Sequence, residues 1–171
     1  MVNNITKGRV HKFEDDINTD YIISSRHKRD TTDCNVLKKH IFADIRDNLI
    51  EKIKEGDIIA AGFNFGCGSA MEVASQVVKA AGFNVIIAKS FARSYYRNAM
   101  NNGILLIEAD TDFLNDGDGI ILKYNENGEI ILTFENGQEE INLGKISGIM
   151  GKLYEAGGLI EYVNKFGELP V

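Results

Sequence analysis

Asn64-Phe65-Gly66-Cys67-Gly68-Ser69 is the stretch whose reading decides the fold. It follows the apolar run Ile58-Ile59-Ala60-Ala61, which has the length and composition of a buried strand and is bounded by Gly62. It precedes a segment in which Val73, Val77 and Ala81 recur every four residues until Gly82 ends it, the spacing of a helix over 70–81. The order is strand, glycine-rich loop, helix. A second such unit follows directly: Asn84 to Ala88 is strand-like, Ser90 is a suitable N-cap, 91–101 is helix-compatible before Gly103, and 104–107 is a further short apolar strand. Alternation of this kind predicts an α/β protein with a partly parallel sheet and flanking helices.

On the N-terminal side, Thr6 to Phe13 alternates as a strand and runs into the acidic, turn-rich Glu14-Asp15-Asp16-Ile17-Asn18-Thr19-Asp20. The polar run from Ser24 to Asp33 has no periodicity and is expected to be an exposed, mobile loop. Leu37, Ile41, Ile45, Leu49 and Ile53 recur at four-residue spacing, which predicts one helix or two short ones over 36–53. On the C-terminal side, Gly119 to Tyr124 and Glu129 to Phe134 read as antiparallel strands joined through Asn125-Glu126-Asn127-Gly128, whose Asn-Gly favours a hairpin. Lys145 to Phe166 is helix-compatible but interrupted at Gly148, Gly151 and Gly157-Gly158.

The 171 residues, 44% hydrophobic and 26% charged, fit one domain spanning 1–171 with a core of its own. A net charge of −6 provides no diffuse basic face for nucleic acid or an anionic membrane. The N-terminal MVNNITKGRVHKF lacks an apolar signal region and no stretch approaches a membrane span, so a soluble, unprocessed protein is expected. Cys34 and Cys67 are the two thiols and have no C-x-x-C spacing, which predicts neither a disulfide framework nor a metal site built by this chain, and fits a reducing cytoplasm.

Gly66-Cys67-Gly68-Ser69 at a helix start can bind an anion, because glycines allow close backbone approach and the helix N-terminus favours negative charge. It can equally be a tight turn with Ser69 as a helix cap. Met71 stands where a dinucleotide fingerprint needs glycine, and the Gly-Lys-Ser/Thr of a P-loop is missing. Cys67 is open to two readings, a buried structural thiol or a member of the site. Arg26, Lys28 and Arg29 can clamp an anionic substrate under a closing loop, or form a solvated surface. Asp15, Asp16 and Asp20 lack EF-hand spacing, so no metal is expected there.

Four segments read together give a more specific indication: Gly8-Arg9-Val10 through Asp16-Ile17-Asn18-Thr19-Asp20; Asn64 to Ser69; Ala88-Lys89-Ser90-Phe91-Ala92-Arg93 with Tyr96-Arg97-Asn98-Ala99; and Glu155-Ala156-Gly157-Gly158-Leu159. In this order they resemble the small subunits of 3-isopropylmalate dehydratase and its relatives, including homoaconitase and the aconitase C-terminal domain. The resemblance implies a swivelling β/β/α domain that pairs with a large subunit carrying a [4Fe–4S] cluster on its own cysteines. It also implies dehydration and rehydration of a small di- or tricarboxylic hydroxy acid. Ser69 matches the serine that removes the carbon-bound proton. Asp20, Arg26, Arg29, Gly66, Cys67, Gly68 and Arg93 are the implied substrate-binding positions, and for Arg93 a structural ion pair is an equal alternative.

This sequence departs from the pattern at two places. The family continues its glycine loop Gly-Ser-Ser-Arg-Glu, whereas here Gly68-Ser69-Ala70-Met71-Glu72 puts Met71 at the arginine position. Methionine forms no bidentate pair with a carboxylate, so another cation must substitute or the substrate must differ there. Related subunits also carry Tyr-Leu in the specificity loop, followed by apolar residues for isopropylmalate or by Arg-Thr for homoaconitate. Here the run is His27-Lys28-Arg29-Asp30, with Arg29 on the homoaconitate arginine. The leading expectation is 3-isopropylmalate dehydratase, with homoaconitate or 2,3-dimethylmalate as the rival substrate and a non-catalytic anion-binding module as the alternative class.

Overall fold

The computed structural model describes residues 3–125, 127–137, 139–146 and 148–170. Met1 and Val2 of the polar N-terminus, Glu126 of the expected hairpin and Ser147 of the C-terminal segment lie outside the described residues. Seven strands form one mixed sheet: β1 (Asn3–Lys12), β2 (Ile58–Ala61), β3 (Val85–Ala88), β4 (Leu105–Glu108), β5 (Gly119–Tyr124), β6 (Glu129–Phe134) and β7 (Glu140–Lys145), in the order β4-β3-β2-β1-β5-β6-β7. β1 is the hinge between two pairing modes. It runs parallel to β2, with Val10 opposite Ile58, and antiparallel to β5, with Gly8 opposite Ile120.

Every residue of β2 and β3 is buried, as short apolar strands in a parallel layer covered on both faces must be. The strands β5 and β6 bury alternate residues, Ile120 and Leu122 against Ile130 and Leu132, because they cover the core with one face. The main helices are α3 (Glu72–Ala80), α4 (Arg93–Asn101), α5 (Gly148–Ala156) and α6 (Leu159–Phe166); α1 (Thr19–Ile22) and α2 (Cys34–Leu37) are single turns. Ala74, Val77 and Val78 of α3 and Tyr95 and Ala99 of α4 supply the helical side of the core. Gly157 and Gly158, both at positive φ, break the C-terminal segment into α5 and α6.

The expectation of helix over 36–53 is corrected. After α2, capped by the Asp33 carboxylate on the Asn35 N–H (2.8 Å), the chain continues as a 3₁₀ turn at Lys38–His40, further turns, and a 3₁₀ turn at Leu49–Glu51. Phe42 and Asn48 both sit at φ 53°, which no regular helix accommodates. Phe42 is held there by a bond from its N–H to the Ile22 carbonyl (2.9 Å) and by complete burial against Phe13, ring centroids 4.3 Å apart. The apolar period of four is used by successive turns that still bury Leu37, Ile41 and Leu49. β7 was not anticipated: of its six residues only Leu143 is buried, so the alternation is almost silent.

Candidate active site

The glycine loop leaves the C-terminal end of β2 and is braced from both sides by the loops that leave β1 and β3. Carboxyl ends of parallel strands are where open α/β sheets place their ligands. On the β1 side, the Asp15 carboxylate accepts the Phe63 N–H (2.7 Å), Asp16 accepts the Asn64 side-chain amide (2.8 Å), and the Ile17 carbonyl accepts the Gly66 N–H (2.7 Å). The Thr19 N–H donates to the Cys67 carbonyl (2.9 Å), and the buried Thr19 hydroxyl to the Ser69 carbonyl (2.9 Å). On the β3 side, Ser90 Oγ accepts the Asn64 N–H (2.8 Å), the Ser90 carbonyl accepts the Phe65 N–H (3.0 Å), and the Phe65 carbonyl accepts the Ala92 N–H (2.9 Å).

Gly66 has no substitute in this arrangement. Its φ is +79°, and a Cβ would lie 2.1 Å from Cγ of Tyr95, a ring that is itself fully buried beneath Phe65. Gly68, Ser69 and Ala70 are exposed, so the loop is rigid below and open above.

Two expected caps are corrected. The N-cap of α3 is Met71 and that of α4 is Ala92, neither with a side-chain cap, so Ser69 and Ser90 serve the loop instead of the helices. Ser69 is bonded through its carbonyl, which also accepts the Met71 N–H (2.8 Å). Burial, then the nearby Asp16 carboxylate, push the Cys67 thiol up, which opposes thiolate chemistry; its backbone bridges to Asn18.

The polar loop is exposed as expected, none of residues 24–33 being buried, and it contacts the body of the protein at several points. It forms a 3₁₀ turn at Ser25–Lys28; Ser25 Oγ donates to Asp20 Oδ1 (2.7 Å), tying the turn to α1. Arg26 pairs with Asp44. The His27 ring stacks on His40 with centroids 3.9 Å apart and planes 5° from parallel. Burial, then the neighbouring His40 and Arg26, hold the His27 pKa below its ordinary value, so this stack favours neutral imidazole. Lys28 Nζ touches Met71 Sδ, which sets the loop against the start of α3. Arg29 is exposed, with no ion pair among the described residues.

Arg93 stands elsewhere. With Phe91, Tyr96 and Arg97 it lines a cavity of about 690 Å³ whose other walls come from β4, β6, β7 and α5, so the two edge strands of the sheet face one another across it. Ser69, Asp20 and Cys67 are not among its lining residues, and no ion pair of Arg93 is found among the described residues.

The profile of the family described as the aconitase C-terminal domain matches residues 24–112, which contain the polar loop, β2, the glycine loop and β3. The chain belongs to the aconitase C-terminal domain family. Among its members, the methanogen homoaconitase small subunit of Methanocaldococcus jannaschii is 45% identical over 161 residues, 94% of this chain and 92% of that protein. The 3-isopropylmalate dehydratase small subunit of Caldicellulosiruptor bescii is 42% identical over 167 residues, 96% of this chain and 97% of that protein. A crystal structure described as 3-isopropylmalate dehydratase from M. jannaschii superposes with a TM-score of 0.83 at 43% identity, covering 96% of this chain and 95% of that one. The mixed α/β sheet with flanking helices is thus the aconitase C-terminal fold.

Within this family fold, the sequence expectations converge unequally. Gly66, Cys67, Gly68 and Ser69 form one loop, to which Thr19 joins the α1 turn bearing Asp20. Arg26 and Arg29 lie on the adjoining turn, one paired and one not, and Arg93 belongs to the other cavity. Sequence reasoning passed over Thr19, whose only signal was its place in the Thr-Asp motif, and the pairing of Lys28 with Met71, which no local pattern announces. Among the described residues no three His, Cys, Asp or Glu side chains gather as a metal site, and the two thiols are apart, Cys34 against Gln76 and Cys67 beside Asn18. This donor set does not fit an iron–sulfur cluster.

Proposed function

We propose that the chain is the small subunit of a heteromeric hydro-lyase, a 3-isopropylmalate dehydratase, and that it completes the active site of a large subunit that holds the iron–sulfur cluster. The observation that carries this reading is Ser69: exposed, on a loop made rigid by Thr19 and Ser90, and two residues before the Met71 N-cap of α3. Overall dehydration removes a proton from carbon and a hydroxyl from its neighbour as water, leaving a carbon–carbon double bond. Rehydration with the opposite orientation moves the hydroxyl. In this reading Ser69 accepts the carbon-bound proton, and the uncapped first turn of α3 favours its alkoxide. Asp20, fixed by Ser25, helps to organise the site across the subunit boundary, and Arg29 of the adjoining turn meets a carboxylate of the substrate. When bound in the partner, the cluster supplies a Lewis-acidic iron for the departing hydroxyl.

Two observations favour a second substrate, homoaconitate: Arg29 is exposed and unpaired among the described residues, and the relative at 45% identity is named a homoaconitase small subunit. A cytoplasmic setting fits the two free thiols.

The test is anaerobic assembly with the cognate large subunit, followed by assay of isopropylmalate, homoaconitate and 2,3-dimethylmalate for the unsaturated acid. One substrate is expected to turn over, with Ser69→Ala lowering kcat by at least about 100-fold. Failure of all three with a cluster-loaded partner would sink the dehydratase reading and leave an anion-binding module.

A further inference from the structure

We propose that Lys28 is a substrate-carboxylate ligand of this site, in place of the arginine that relatives carry where this chain has Met71. The inference rests on the dehydratase reading and deepens it.

The cations of the pinned turn are not equivalent. Arg26 is neutralised by Asp44, and Arg29 is exposed at the C-cap of the turn. Lys28 is half-buried, with its ammonium against the thioether of Met71, the N-cap of α3. Met71 in turn donates its N–H to the Ser69 carbonyl at 2.8 Å, so Lys28 reaches the residue directly tied to the proposed base. An ammonium has three donors, and a thioether sulfur is a weak acceptor. No carboxylate pairs with Lys28 among the described residues. The contact does not neutralise the charge, and a half-buried cation without a carboxylate partner attracts an anion.

The two departures from the family pattern are therefore one event. The family pattern has Tyr-Leu where this chain has His27-Lys28 and arginine where it has Met71; here the side chains of Lys28 and Met71 touch. The cation count of the pair is conserved while the cation moves from the helix start to the specificity loop. The exchange has a chemical consequence: lysine offers a point charge on a flexible stem, whereas arginine offers a planar two-pronged fork. The carboxylate is held with less directional demand.

The experiment uses the assembled complex and whichever acid the wild-type protein turns over. Lys28→Leu is expected to raise KM about 10- to 100-fold, the loss of one charge-assisted hydrogen bond, with a much smaller change in kcat. Lys28→Arg is expected to stay within a few-fold of wild type. Met71→Arg is expected to impair the protein when Lys28 is present, through like-charge contact, and to rescue it when combined with Lys28→Leu. Binding of tricarballylate, a tricarboxylate with no hydroxyl to lose, measured by calorimetry on the same complexes, is expected to follow the same order. An unchanged KM in Lys28→Leu, or additive effects of the two substitutions, overturns the proposal while the dehydratase reading stands. Absence of turnover by the wild-type complex overturns both.

Discussion

The Thr19 hydroxyl donates to the Ser69 carbonyl at 2.9 Å, joining the first turn after β1 to the glycine loop that follows β2. Because Thr19 is buried, its hydroxyl has one conformation and Ser69 one height above the sheet. Thr19→Val removes the donor while keeping the branched shape. The Ser69 carbonyl retains the Met71 N–H, so the expected loss of stability is only about 1 kcal/mol. A sub-ångström shift of the base matters more for turnover, and kcat of the assembled enzyme is expected to fall roughly 10-fold, with Thr19→Ser close to wild type. Thermal melting and steady-state kinetics on the three proteins check this.

Gly66→Ala meets two obstacles, a left-handed φ and the buried Tyr95 ring. The expected destabilisation exceeds about 3 kcal/mol. Gly117→Ala separates the two contributions, because φ is +86° there but nothing lies within 4 Å of the new methyl. Its cost is expected to be about 1 kcal/mol, the backbone component alone. Urea denaturation of both variants measures the difference.

Asp57 should contribute to acid sensitivity. This carboxylate is buried between β1 and β2, where it accepts the Arg9 N–H (3.0 Å), the Lys54 N–H (3.0 Å) and His11 Nε2 (2.7 Å). Burial alone would push its pKa up, but the Arg9 N–H, His11 and the Lys54 N–H together hold it below the ordinary carboxylate value. A lowered folded pKa means that the stabilisation is complete above the unfolded value and is lost as pH falls through the folded one. Asp57→Asn is expected to cost about 1–3 kcal/mol near neutral pH. It should also flatten the acid limb of a stability–pH curve, measured by urea midpoints from about pH 7 down to about pH 3.

The parallel half of the sheet was legible because Ile58–Ala61, Val85–Ala88 and Leu105–Glu108 are short apolar runs punctuated by glycine, and each lies almost wholly in the core. The segment 36–53 was misread because its backbone answers to a distant group, the Ile22 carbonyl, which a periodicity cannot see. The same limit applied at the site. Gly66 and Ser69 stand out by composition, whereas Ser90 has the sequence signature of a helix cap and its hydroxyl instead accepts the Asn64 N–H. Lys28 was visible only as one charge in a cluster; what distinguishes it from Arg26 is the company each keeps, Met71 for one and Asp44 for the other.

The two-sided pairing of β1 has a consequence for how the protein tolerates change. Among the described residues, the long-range hydrogen bonds that brace the glycine loop come from residues 15–19 and 90–92, and none from β5, β6 or β7. Within the sheet, an alteration in the antiparallel half reaches Ser69 by way of β1, whose register against β2 is fixed independently by Val10, His11 and Lys12. Through the sheet, β1 thus works as a firebreak between the outer hairpins and the glycine loop; the route around it is the cavity where Phe91 shares walls with β6 and β7.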